Sequence, residues 1–149
     1  VVLRSEYGYS TNKYFLSRDA NGIVGFSETP EFKVAVAIDF NGDDELFFSG
    51  QLLMSDAIKS GIQLSRDELE TSATVLFRKS LFNNSLILEN FLVHSLNNGD
   101  GIVRPKFIYE YKSNISISGG IDIFYGGSFG YFGQFNGLDR FNLGVRIGI

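Results

Sequence analysis

Few side chains in this chain are equipped for covalent chemistry. There is no cysteine, which excludes thiolate nucleophiles, thiolate zinc sites and disulfides. A hydrolytic triad needs a base, and the single histidine, His94, stands near one end of a strand-like stretch where serines are abundant throughout. It reads as a rim histidine, no catalytic residue is assigned, and the chain is expected not to be an enzyme. Asp39-Phe40-Asn41-Gly42-Asp43 supplies the first three ligand positions of a calcium loop. However, position six is Asp44 where glycine is required, and position twelve is Gly50 where a bidentate glutamate is required. It reads as an Asn-Gly turn, and no metal or cofactor is expected. The Gly126 to Gly137 stretch repeats Phe129-Gly130 and Phe132-Gly133 before Phe135, but no Lys-Ser or Lys-Thr follows, so it is not a phosphate loop.

What remains is charge placed in a regular pattern. Arg4, Glu6, Lys33, Asp39, Arg78, Glu89, Arg104, Lys106, Glu110, Asp122, Arg140 and Arg146 each fall on the polar side of an alternating stretch. Lys112 and Glu70 are read on the same side. Such residues on neighbouring strands do one of two things. In a wide barrel they line a water-filled pore and select solutes by size and charge, whereas in a small closed barrel they pair as a packed polar plug. In the pore, the seven cations of this set would attract anions and the five carboxylates would oppose them. Phe129, Phe132 and Phe135 are candidates for a constriction or a sugar-stacking platform in an external loop.

The elements that must carry these residues are strands. Alternation is clearest at the end of the chain, where Phe141, Leu143, Val145, Ile147 and Ile149 interleave with Arg140, Asn142, Gly144, Arg146 and Gly148. It recurs over Val1 to Tyr9, Phe32 to Phe40, Val103 to Tyr111 and Ile115 to Tyr125. Softer strands are expected at Glu45 to Met54, Glu70 to Leu81 and Ser85 to Ser95. In the last of these, Leu86, Leu88 and Leu92 compete with Ile87, Phe91 and Val93 for the apolar side. Tight turns are expected at Asn41 to Asp44, Asn83-Asn84 and Ser113-Asn114. Longer loops are expected at Thr11 to Glu31, Ser55 to Leu69, Leu96 to Gly101 and Gly126 to Asp139, with a capping box at Ser65 to Glu68 starting one helical turn.

Together these define an all-β chain: an antiparallel up-and-down meander of about eight strands, with residues 1–149 as a single unit. The longest apolar run, Val34 to Ile38, is five residues where a membrane helix needs roughly 20, so any membrane crossing would use strands. Strands of about ten residues, fixed charge on one face, and aromatics such as Tyr7, Tyr9, Phe40, Tyr109, Tyr111, Tyr125 and Phe141 near strand ends favour a transmembrane β-barrel over a soluble sandwich. A net charge of −4 leaves no basic excess to hold nucleic acid.

Several stretches resemble the C-terminal part of a broad family of uncharacterised proteobacterial outer-membrane β-barrel proteins, porin- or exporter-like. They are Leu3 to Tyr7, Leu81 to Leu86, Val103 to Tyr109, Gly120 to Gly127, Phe132 to Phe135 and the strand from Asp139. The chain departs from such barrels by ending in Ile149 where they usually end in an aromatic. The resemblance implies a bacterial outer-membrane location, a channel or exporter function, and outer-membrane lipid, lipopolysaccharide, the barrel-assembly machinery and small solutes as partners. The expected function is a porin-like channel passing small polar or charged solutes. The alternative is a small closed eight-stranded barrel acting as an anchor or adhesin. Because Val1 begins inside a strand, the chain is expected to be the C-terminal portion of a longer barrel.

Overall fold

The computed structural model describes residues 1–19, 21–43, 45–58 and 63–148. Its strands are β1 (Val2–Arg18), β2 (Val24–Asn41), β3 (Leu46–Ala57), β4 (Gln63–Leu64), β5 (Leu69–Leu81), β6 (Leu86–Ser95), β7 (Gly101–Lys112), β8 (Ile115–Tyr125) and β9 (Arg140–Ile147), with one 3-10 turn at Gly133–Phe135. All nine belong to one antiparallel sheet in the order β4-β1-β2-β3-β5-β6-β7-β8-β9. The eight long strands thus run as the expected meander. The two-residue β4 folds back from the β3–β5 connection onto the outer edge of β1, where Ser17 faces Leu64 and Arg18 faces Gln63. Asp44 in the expected β2–β3 turn and Ile149 at the expected end of the last strand lie outside the described residues.

The sheet is open. Among the described residues no ladder joins β9 to β1, so the expected barrel is not closed by this chain, and both edge strands keep unpaired backbone groups.

Four local expectations are corrected. The segment Thr11 to Glu31 is not a loop: β1 and β2 continue through it as a long hairpin, closed by the Gly22 amide donating to the Asp19 carbonyl. The cause of the misreading is a β-bulge between Ser10 and Lys13. One extra residue switches the phase, so that Arg4, Glu6, Gly8 and Ser10 share a face with Lys13, Phe15 and Ser17, and simple alternation breaks. Leu96 to Gly101 is a tight turn, closed by the Ser95 amide donating to the Asp100 carbonyl, with Gly99 at positive φ. No helical turn forms at Ser65 to Glu68; the Ser65 amide instead donates to Leu16 on β1. Finally, a second bulge between Glu110 and Lys112 sets Lys112 opposite Ile115, on the apolar face, with its ammonium over the Tyr111 ring.

The buried apolar side chains Phe15, Ala37, Ala57, Ile102 and Phe124 all lie on the charged face, whereas on the other face of the edge strands Tyr7 is 75% and Leu143 88% exposed. The charged face is also the one over which the β8–β9 connection folds, with Phe135 on Phe124, and it is the inner face of the sheet. The turn at the end of β6 is tight enough to require glycine at one place. A Cβ on Gly101 would overlap the Val93 carbonyl oxygen and the Tyr125 hydroxyl. Gly101→Val is therefore expected to destabilise the sheet by about 1–3 kcal/mol through overpacking, read as a lowered unfolding midpoint by circular dichroism.

Candidate functional site

The register places all twelve predicted charged residues on the inner face. Six of them are joined in three cross-strand ion pairs. Arg4 on β1 forms a fork with Asp39 on β2, at 2.7 and 3.0 Å, and Ser49 on β3 donates to the same carboxylate at 2.6 Å. Arg78 on β5 bonds Glu89 on β6 at 2.6 and 2.9 Å. Arg104 on β7 bonds Asp122 on β8 at 2.8 Å. In every pair the carboxylate is the shielded member and the guanidinium is about half exposed. Arg140 lies over the Phe124 ring, 5.6 Å from its centre. Glu6, Lys106, Glu110 and Arg146 meet no opposite charge within 4 Å among the described residues.

A second cluster, at the end of the sheet where the longer connections lie, was not read from the sequence. Glu31 on β2 is almost fully buried and is surrounded by cations: Lys13 at 2.6 Å, Lys33 at 3.3 Å and Arg66 at 3.6 Å, with Ser55 donating at 2.8 Å. Arg66, from the β4–β5 connection, also reaches Glu70 at 3.2 Å, and Lys13 and Arg66 both lie over the Phe15 ring. A carboxylate removed from water needs this density of opposite charge and donors to stay ionised. Strands β1, β2 and β3 and the β4–β5 connection are thereby tied to one buried group.

The loop between β8 and β9 extends this cluster across the trough. The Tyr131 hydroxyl donates to Glu70 at 3.1 Å, so the loop reaches from the β8–β9 side to β5. Its anchor is Asp100, which is fully buried; Oδ2 accepts the amide hydrogens of Phe132 at 2.6 Å and Gly133 at 3.0 Å. Gly126 and Gly130 lie against the Asp100 side chain, where a Cβ would overlap it. The three predicted constriction phenylalanines separate. Phe129 is fully exposed, Phe132 lines a cavity of about 710 Å³, and Phe135 packs on Phe124 with ring centres 5.5 Å apart. Tyr131, next to the repeated Phe-Gly units, is the side chain that crosses.

The inner face also carries an apolar strip that the charge pattern concealed. Leu76 faces Phe91, Val93 faces Ile102, and Ile102 faces Phe124, on successive strands β5 to β8. Its trace in the sequence is the conflict over Ser85 to Ser95. That strand is apolar on both sides because Leu86, Leu88 and Leu92 face outward while Ile87, Phe91 and Val93 face inward. His94 is on the outer face. Its Nδ1 is 2.9 Å from the Tyr125 hydroxyl, and the two rings stack.

Among the described residues no group of three or more His, Asp or Glu side chains is arranged to hold a metal ion, and no helix is long and apolar enough to cross a membrane. No family model, curated protein or solved structure matches this chain.

Two outcomes follow from the loop. Asp100→Ala strips the acceptor from two backbone donors in a shielded position, at a cost of about 1–3 kcal/mol for each group left unpaired; the Gly126 to Asp139 loop is then expected to be cut earlier in limited proteolysis. Asp100→Asn, which keeps an acceptor oxygen, is expected to be milder. Burial, and then the charge and hydrogen bond of Glu70, push the Tyr131 phenol above its ordinary value of 10. Because the protonated form is the one favoured in the fold, its contribution is present below pH 10 and is lost as pH rises through the raised value. The phenolate absorbance of the wild type minus that of Tyr131→Phe should therefore show one group titrating above pH 10.

Proposed function

We propose that this chain forms part of the wall of an outer-membrane β-barrel and that its charged face lines a porin-like channel for small solutes. The observation that carries the reading is the contrast between the two faces of one continuous sheet. Outside, Leu3, Tyr7, Ile38, Phe48, Phe107, Leu143 and Val145 are exposed large apolar side chains with no layer of protein over them. In water that surface carries a steep hydrophobic cost, whereas in lipid it is the required one. Inside, arginine and carboxylate side chains alternate around a trough that contains cavities of about 710 and 470 Å³. Strands of 8 to 18 residues span the range a tilted membrane strand needs, about 9–11.

The open sheet edges favour the channel over the closed anchor or adhesin. A closed eight-stranded barrel needs a β9–β1 ladder, and its interior is only wide enough for side chains. A wall with free edges takes further strands, which widens the interior enough for water. Lipid and lipopolysaccharide would contact the outer face, and the barrel-assembly machinery would deliver the chain.

Channel activity is tested by reconstituting the protein in planar bilayers and measuring conductance. In the structure Arg104 is balanced by Asp122, whereas Arg140 and Arg146 have no carboxylate within 4 Å among the described residues. The triple change Arg104→Gln, Arg140→Gln and Arg146→Gln is expected to move the reversal potential toward cation preference. Arg140→Gln with Arg146→Gln should move it in the same direction by a smaller amount, without freeing a carboxylate by deletion of its partner. Unchanged reversal potentials would take these residues out of the solute path.

A further inference from the structure

We propose that the inner face binds amphipathic organic anions, an aromatic or medium-chain carboxylate, with the carboxylate at Lys106 and the apolar body along Phe91 and Val93. The inference rests on the channel reading for the trough being a solute path, and it names the class of solute. Three observations carry it.

The first is a charge left over in a defined hollow. The cavity of about 470 Å³ contains Arg78, Arg104 and Lys106 together with Glu89 and Asp122. Each carboxylate is already bonded to an arginine, so the pairs cancel and the ammonium of Lys106 is the uncompensated charge. The exposed guanidinium edges of Arg78 and Arg104 flank it, each with donors beyond those spent on its partner.

The second is the floor of that hollow. Opposite Lys106 stands Gly120, and Gly144 and Ser118 lie beside it; a Cβ would come within 3.0 Å of the Pro105 carbonyl oxygen at Gly120 and within 2.8 Å of the Ser118 hydroxyl at Gly144, so backbone and one hydroxyl, not larger side chains, floor the hollow. Proline contributes no amide to the ladder, and the β7–β8 pairing passes from Val103–Ile123 directly to Lys106–Gly120.

The third is the strip beside it. Phe91 lies directly across from Arg104 and shares its cavity with Lys106, while Val93 lines the larger cavity with Leu53 and Phe132. Phe91 and Val93 are two residues apart on one strand face, roughly 7 Å, so successive inward side chains of β6 line the two hollows. A wall for fully polar solutes gains nothing from this apolar surface, because it offers no hydrogen bonds. A solute with an apolar body gains its burial, and Lys106 then distinguishes an anionic head from a cationic one.

The test is equilibrium binding to the intact chain in detergent, with empty micelles as the blank. Four probes separate body from head: 3-phenylpropionate, 3-phenylpropylamine, 3-phenylpropanol and propionate. The expected result is that 3-phenylpropionate binds at least about tenfold more tightly than the other three, the size of one charge-assisted contact. Lys106→Gln should abolish its advantage over the alcohol. Phe91→Ser should weaken the acid and the alcohol together, and Val93→Thr provides the same test with a side chain of equal shape should Phe91→Ser fail to fold. Equal binding of acid and amine, or an acid preference that survives Lys106→Gln, would overturn the proposal. Binding is read without any membrane flux. A protein that binds the acid but conducts nothing therefore counts against the channel alone, and one that conducts without this preference counts against the solute class alone.

Discussion

A β-strand sends successive side chains to opposite faces, and everything distinctive about this protein depends on that strict division. Apolar residues such as Val34, Val36 and Ile38 are locked to one side of β2 only because Lys33, Ala35 and Asp39 are locked to the other. Repeated over eight long strands in register, the division makes a sheet whose two surfaces suit different media. The bulges at Ser10/Lys13 and Glu110/Lys112 show how local the rule is, since a single extra residue inverts it. In β1 the inversion is used: it brings Lys13 and Phe15 to the inner face, where they meet Glu31 and Arg66.

The inner face then organises itself by neutralisation between neighbours. Arg4–Asp39, Arg78–Glu89 and Arg104–Asp122 each join strands adjacent in the sheet, so their charges cancel within one strand spacing and set little field at a distance. Half-exposed pairs of this kind add little to stability, and their importance is to remove charge from the reckoning. What remains is a wall whose electrostatic character is decided by a few unpaired residues, set beside a strip of ordinary hydrophobic side chains.

Two buried carboxylates hold the trough's upper architecture. Glu31 gathers the β1–β2 hairpin, β3 and the β4–β5 connection through Lys13, Ser55 and Arg66, and Asp100 holds the β8–β9 loop through the amides of Phe132 and Gly133. Glu70 joins the two assemblies, taking Arg66 from the first and the Tyr131 hydroxyl of the loop from the second. The loop is consequently fastened at both ends of its reach.

The sequence alone determined the strand class, the meander, the short turns at Asn83-Asn84 and Ser113-Asn114 and the face of each of the twelve charged residues, because all of these follow from period-two alternation and turn chemistry within a dozen residues. It did not determine where β1 and β2 end, since the bulge hides the phase, nor that Ser85 to Ser95 turns apolar side chains both ways, since alternation cannot assign a strand with two apolar faces. Partnership was beyond it as well. Arg4 and Asp39 are 35 positions apart, Asp100 and Gly133 are 33 apart, and Tyr131 and Glu70 are 61 apart. Register and the path of the loops decide such contacts. Those are properties of the assembled sheet, in which the energy of one pairing depends on every strand that lies between.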